Sequence, residues 1–126
     1  MQCLLIDKNS SDRLHIAGLL QSLGLVCDQV ENPSDDLERA QFAKPQLVFL
    51  KASSIPDAQD VLHQLLLSNR TGVAPKVICY AEAPGIDDMD ACILAGATDV
   101  LVQPFDQALL RFKLVQAGLL PTPYST

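Results

Sequence analysis

Residues 47–56 read LVFLKASSIP. The first four are apolar without alternation, and so short a run reads as a strand buried on both faces. Strands of that kind belong to parallel sheets with helices packed on either side. The run stops at Lys51, where the strand should emerge. In α/β sheets the working residues lie beyond the carboxyl ends of the strands, so a lysine at this point bears on function as well as on fold.

The same rhythm runs along the whole chain. CLLI (3–6) is a first strand, followed by a helix in NSSDRLHIAGLLQSLG that Ser10 or Ser11 can cap. Ile16, Leu19, Leu20 and Leu23 form the apolar stripe of that helix, and Gly24 ends it. LVCD (25–28) is a second strand, and Asn32-Pro33 opens a second helix with acids in its first turn. QLVFL (46–50) is the third strand and DAQDVLHQLLLSN (57–69) the third helix. KVICYA (76–81) is the fourth strand, followed by the helix of GIDDMDACILAGA, which starts with the solvated acids Asp87, Asp88 and Asp90. DVLV (99–102) is the fifth strand, and DQALLRFKLVQAGLL the fifth helix, capped by Asp106. Strict alternation and right-handed crossovers imply a three-layer α/β domain whose parallel five-stranded sheet has the order 2-1-3-4-5. One domain spans 1–120, with 121–126 as a tail. The crevice of such a sheet gathers Asp7, Lys8, Lys51, Tyr80 and Gln103.

Composition narrows the function. With 126 residues, 48% hydrophobic and 19% charged, the chain can bury a core. A net charge of −6 and the lack of any basic cluster exclude a nucleic-acid surface. Only three aliphatic residues precede Asp7, too few for a signal peptide, and HIAGLLQSLGLVC is too short to span a bilayer. The expectation is a cytoplasmic protein whose four scattered cysteines are reduced packing residues, with no zinc site or other cofactor. His15 and His63 belong to helices and complete no nucleophile–base arrangement, and Ser53 and Ser54 read as loop residues.

At the level of motifs the chain resembles the receiver domains of two-component response regulators, over about residues 2–120. LLIDKN is similar to the acidic first-strand motif, with Arg13 where the family often has an arginine. KPQLVFLKASSIP is similar to the phosphoacceptor segment and PKVICYAEA to the fourth strand. AGATDVLVQPF resembles the family's fifth-strand signature closely. The resemblance also locates the departures. The family's second acid is Lys8 here, its phosphoacceptor aspartate is Lys51, and its threonine or serine is Tyr80, followed by Ala81 as usual. Its lysine is Gln103, its aromatic switch residue is Val100, and the loop between Lys51 and Pro56 is one residue longer.

These changes remove the carboxylate nucleophile, one of the acids that would hold Mg²⁺, the small hydroxyl and the paired cation. The resemblance therefore implies a degenerate receiver, a stand-alone protein-interaction module of a bacterial phosphorelay that is not an enzyme. Alternatives are a sensor that binds a small anion or nucleotide in the crevice, and a receiver phosphorylated at an unusual acceptor such as Asp7. Lys51 is expected to form a salt bridge with Asp7, while Lys8 extends into solvent or joins an anion site.

On the fifth helix, Leu110, Leu114 and Ala117 read as the buried stripe. Leu109, Phe112 and Gln116 then lie on the outer face. With Met89 of the fourth helix and Val100 of the fifth strand they form the expected contact surface, which in receivers is a common docking or dimer face. The implied partner is a histidine kinase, a phosphotransferase or another phosphorelay component, or a second copy of the chain, with no nucleic acid and no membrane.

Overall fold

The computed structural model describes residues 2–31, 46–56, 75–82 and 86–121. These residues form β1 (Gln2–Ile6), α1 (Ser10–Ser22), β2 (Val26–Val30), β3 (Leu47–Lys51) and a 3-10 turn (Ala52–Ser54). They continue with β4 (Lys76–Glu82), α2 (Ile86–Leu94), β5 (Asp99–Gln103) and α3 (Gln107–Gln116). Here α2 and α3 are the expected fourth and fifth helices. The expected second and third helices lie outside the described residues. The five strands form one parallel sheet in the order β2-β1-β3-β4-β5, as the alternation of strands and helices implies.

The period of two along each strand divides the core into two layers. Leu4, Ile6, Val48, Leu50, Val77 and Cys79 face one side, where Ala91 and Cys92 of α2 and Ala95 just beyond it pack against them. Cys3, Leu5, Leu47, Phe49, Ile78, Tyr80 and Leu101 face the other, against Ile16 and Leu20 of α1 and Leu110 and Leu114 of α3. All four apolar residues of β3 are fully buried, which is why its sequence shows no alternation.

Helix ends follow local chemistry. The cap of α1 is Asn9, neither Ser10 nor Ser11, and its side chain accepts from the Asp12 N–H at 2.9 Å. Asn9 is the last residue with extended backbone (φ −81°, ψ 114°), so the serines already lie inside the first turn. Asp106 caps α3 as expected, accepting from the Leu109 N–H at 2.8 Å. Each helix ends in the same way, with an N–H reaching back five residues: Leu25 to Leu20, Ala97 to Cys92 and Leu119 to Leu114, at 2.9–3.0 Å. Gly24 and Gly96 take the left-handed conformation this needs, at φ +88° and +87°. At the sheet edge, Lys113 of α3 and Asp99 of β5 form an ion pair of 2.9 Å.

One expectation fails here. Cys3 and Cys27 are joined by a disulfide, not two reduced packing residues. Although 24 positions apart in sequence, they are register partners on β1 and β2. Parallel pairing through an intervening helix thus brings together two cysteines that no sequence spacing relates. Cys79 and Cys92 are free and buried, and burial pushes both thiols up from their ordinary value.

Phe49 is fully buried at the centre of the second layer. Phe49→Ala is expected to cost about 3–5 kcal/mol of stability, read by urea unfolding as a fall in midpoint at unchanged slope.

Candidate functional site

Alternation also builds the crevice. Asp7 lies two residues beyond Leu5, Lys51 two beyond Phe49, Tyr80 two beyond Ile78 and Gln103 two beyond Leu101. All four therefore emerge on the α1/α3 side of the sheet. Lys51 and Tyr80 are register partners on adjacent strands. The structure thus brings together four of the five residues that the sequence places at the strand ends, and Lys8 lines the same cleft.

Their pairing differs from the expectation. Asp7 is only 1% exposed, and its carboxylate accepts from the Tyr80 hydroxyl at 2.7 Å and from the Asn9 N–H at 2.8 Å. The Lys51 ammonium goes instead to Gln103 Oε1 and to Asp12 Oδ2, the latter at 3.4 Å. It also lies 5.4 Å from the centroid of the Tyr80 ring. The expected Lys51–Asp7 salt bridge is therefore replaced by two separate pairings, because a phenol is long enough to reach Asp7 from β4 where a small hydroxyl is not. Asp12, one turn into α1, had no signal in the sequence: only the fold places that turn over the end of β3.

The Tyr80 ring is held in an aromatic cluster. It stacks on Phe49 with centroids 5.1 Å apart and meets Phe105 edge-on at 6.3 Å. Burial, and then the hydrogen bond to the Asp7 carboxylate, push the phenol well above its ordinary value. It is thus a committed donor. The cis peptide bond between Gln103 and Pro104 leads into Phe105.

Backbone bonds complete the frame. Arg13 donates from its guanidinium to the Asp7 carbonyl at 2.8 Å and to Gln29 Oε1 at 3.2 Å. The Lys8 N–H donates to Ser54 Oγ at 3.3 Å, and Ser54 is fully buried while Ser53 is exposed. Lys8 itself is exposed, and Ala81 is buried against the α2 side.

The open part of the crevice is a cleft of about 370 Å³ whose charged lining is Asp7, Asp12, Glu82 and Asp88 against Lys8 and Lys51. A divalent cation does not fit this donor set. Such an ion needs several oxygens turned toward it, whereas Asp7 is buried with its oxygens aimed at the Asn9 N–H and the Tyr80 hydroxyl, and an ammonium sits beside Asp12 and would repel the ion. Among the described residues no group of three or more His, Cys, Asp or Glu side chains could hold a metal. No helix of the described residues is long and apolar enough to cross a membrane.

The expected contact surface changes in composition. Leu110 and Leu114 are buried and Ala117 partly so, while Leu109, Phe112 and Gln116 are exposed, Phe112 by 55%. Met89 is exposed as well, whereas Val100 is half-buried and packs against the α2-side core. Val102, two residues on, is exposed instead, together with Ile93 and Leu94 of α2. Four successive residues of a helix span more than a full turn, so burying Ala91 and Cys92 sends Ile93 and Leu94 outward. That signal was present in the sequence.

No protein-family model matches the sequence, and no curated protein matches it. Solved structures do. A response regulator receiver protein from Burkholderia phymatum is similar with a TM-score of 0.73 and 22% identity, over 96% of this chain and 98% of that one. The signal receiver domain of a response regulator from Bermanella marisrubri gives 0.70 and 23%, over 91% and 95%. A Vibrio cholerae chemotaxis protein gives 0.75 and 18%, over 91% and 96%. At these identities the likeness is one of fold: the chain has the receiver fold.

Tyr80→Phe keeps the ring and strands a buried carboxylate oxygen, at an expected cost of about 1–3 kcal/mol. In double-mutant cycles by urea unfolding, Tyr80→Phe with Asp7→Asn should couple by about 1 kcal/mol or more, and Lys51→Met with Asp7→Asn by less. The opposite ranking would restore the Lys51–Asp7 pairing.

Proposed function

We propose that this chain is a pseudo-receiver of two-component signalling, which acts by binding another protein, catalyses nothing itself and needs no aspartyl phosphate. The observation that carries this reading is the bond from the buried Tyr80 hydroxyl to Asp7 beneath the Lys51 ammonium. Phosphoryl transfer to a receiver needs a free carboxylate nucleophile and a cation to offset charge on the transferring group. Lys51 is not a carboxylate. Asp7 is buried, and each of its oxygens is already engaged by a hydrogen-bond donor. The crevice is thereby held in one arrangement without phosphate.

An anion sensor has less support, because the cleft lining carries more acids than bases. Output through a partner is supported by the exposed apolar side chains of α2, β5 and α3. Met89, Ile93, Leu94, Val102, Leu109 and Phe112 are all exposed on these three elements, and apolar side chains grouped on one face mark contact surfaces where scattered ones do not. A histidine kinase, a phosphotransfer protein or a second copy of the chain are the partners the receiver fold suggests.

Treatment with acetyl phosphate and Mg²⁺ is expected to leave the intact mass unchanged. Gain of one phosphoryl group, lost in Asp7→Asn, would overturn the reading. Phe112→Asp should keep the melting temperature and weaken association with the native partner by about 1–3 kcal/mol in calorimetry. Unchanged affinity would move the contact elsewhere.

A further inference from the structure

The Cys3–Cys27 bond lies away from the crevice, at the opposite end of the β1–β2 seam. Its two sulfurs are not equivalent: Cys3 is 3% exposed inside the α1-side core, whereas Cys27, on the edge strand, is only partly covered. The two residues are register partners with Cα atoms 4.4 Å apart, so the bond clamps the pairing of β2 with β1 and closes a ring that contains α1. The other end of the same seam carries the crevice. The Asp7 N–H donates to the Val30 carbonyl at 3.1 Å, and Arg13 ties Gln29 of β2 to the Asp7 carbonyl.

We propose that Cys3 and Cys27 form a thiol–disulfide exchange site, opened by an external dithiol that attacks Cys27. A thiolate of the dithiol bonds to Cys27 Sγ, the Cys27–Cys3 bond breaks, and Cys3 leaves as a thiolate that takes up a proton. The second thiolate of the dithiol then attacks the mixed disulfide, and Cys27 leaves in turn. The reductant ends as a disulfide and the protein as two thiols, with two electrons transferred. Attack at Cys27 follows from access, since Cys3 is shielded by Ile16, Leu20 and their neighbours. Opening the bond releases the edge strand that supports the backbone of Asp7. The free thiols Cys79 and Cys92 take no part, being buried in the other layer.

The folded protein is equilibrated with oxidised or reduced dithiothreitol, quenched in acid, alkylated in denaturant and mapped by peptide mass. Cys79 and Cys92 should be labelled in both samples, and Cys3 and Cys27 only in the reduced one. Reduction should lower the melting temperature of the wild type and raise its unfolding equilibrium constant on the order of 10²-fold, the loop-closure effect for a ring of this size. It should not affect the Cys3→Ser/Cys27→Ser double variant. With glutathione disulfide, folded Cys3→Ser should be glutathionylated at Cys27, whereas folded Cys27→Ser should remain unmodified at Cys3. Labelling of Cys3 and Cys27 after oxidation, a bond that resists reduction until the chain unfolds, or preferential modification of Cys3 would each overturn the proposal.

Discussion

A carboxylate removed from water must find hydrogen-bond donors, and the arrangement of the strand ends follows from how Asp7 finds them. One donor is local, the Asn9 N–H, supplied by the turn that also makes Asn9 the cap of α1. The other is the Tyr80 hydroxyl, which reaches from β4 across the intervening end of β3. The ring that makes this reach is held by stacking on Phe49 and by an edge-on contact with Phe105. Once the ring is there, the side chain at position 51 meets an aromatic face as well as the acid of α1. A lysine suits both neighbours, with Gln103 accepting another of its protons.

Much of this architecture could be read from particular residues. LVFLK declares a strand covered on both faces because Leu47 to Leu50 leave no polar side for water, and all four are buried. Gly24 and Gly96 mark helix ends because each carries a positive φ. Asp106 marks a helix start because its side chain can satisfy an N–H that the helix leaves over. Boundaries were less legible. The apolar run places β2 at Leu25 to Asp28, yet Leu25 belongs to the helix-end motif of α1 and the strand continues to Val30.

The crevice was legible as a set of residues and not as a set of bonds. Strand-end positions follow from periodicity, so Asp7, Lys51, Tyr80 and Gln103 could be assigned to one place. Which of them pair depends on side-chain reach and on the height of α1 above the sheet, and neither has a local signature. The same limit hid Asp12 from view and separated Cys3 from Cys27. For Val100 the family motif identifies a sequence position, whereas exposure on that face of β5 is greater at Val102.

The interlocking of Asp7, Tyr80 and Lys51 also constrains which sequences neighbour this one. Installing aspartate at position 51 alone would set a carboxylate beside Asp12 and remove one of the two lysines that line the cleft. Installing threonine at position 80 alone would empty a space the size of a phenol ring and leave a buried carboxylate short of a donor. Lysine at position 103 alone would face the Lys51 ammonium. Each of these single substitutions therefore runs downhill in stability. In evolutionary terms the site behaves as a ratchet: each of the three side chains is held in place by the packing and bonds of the other two.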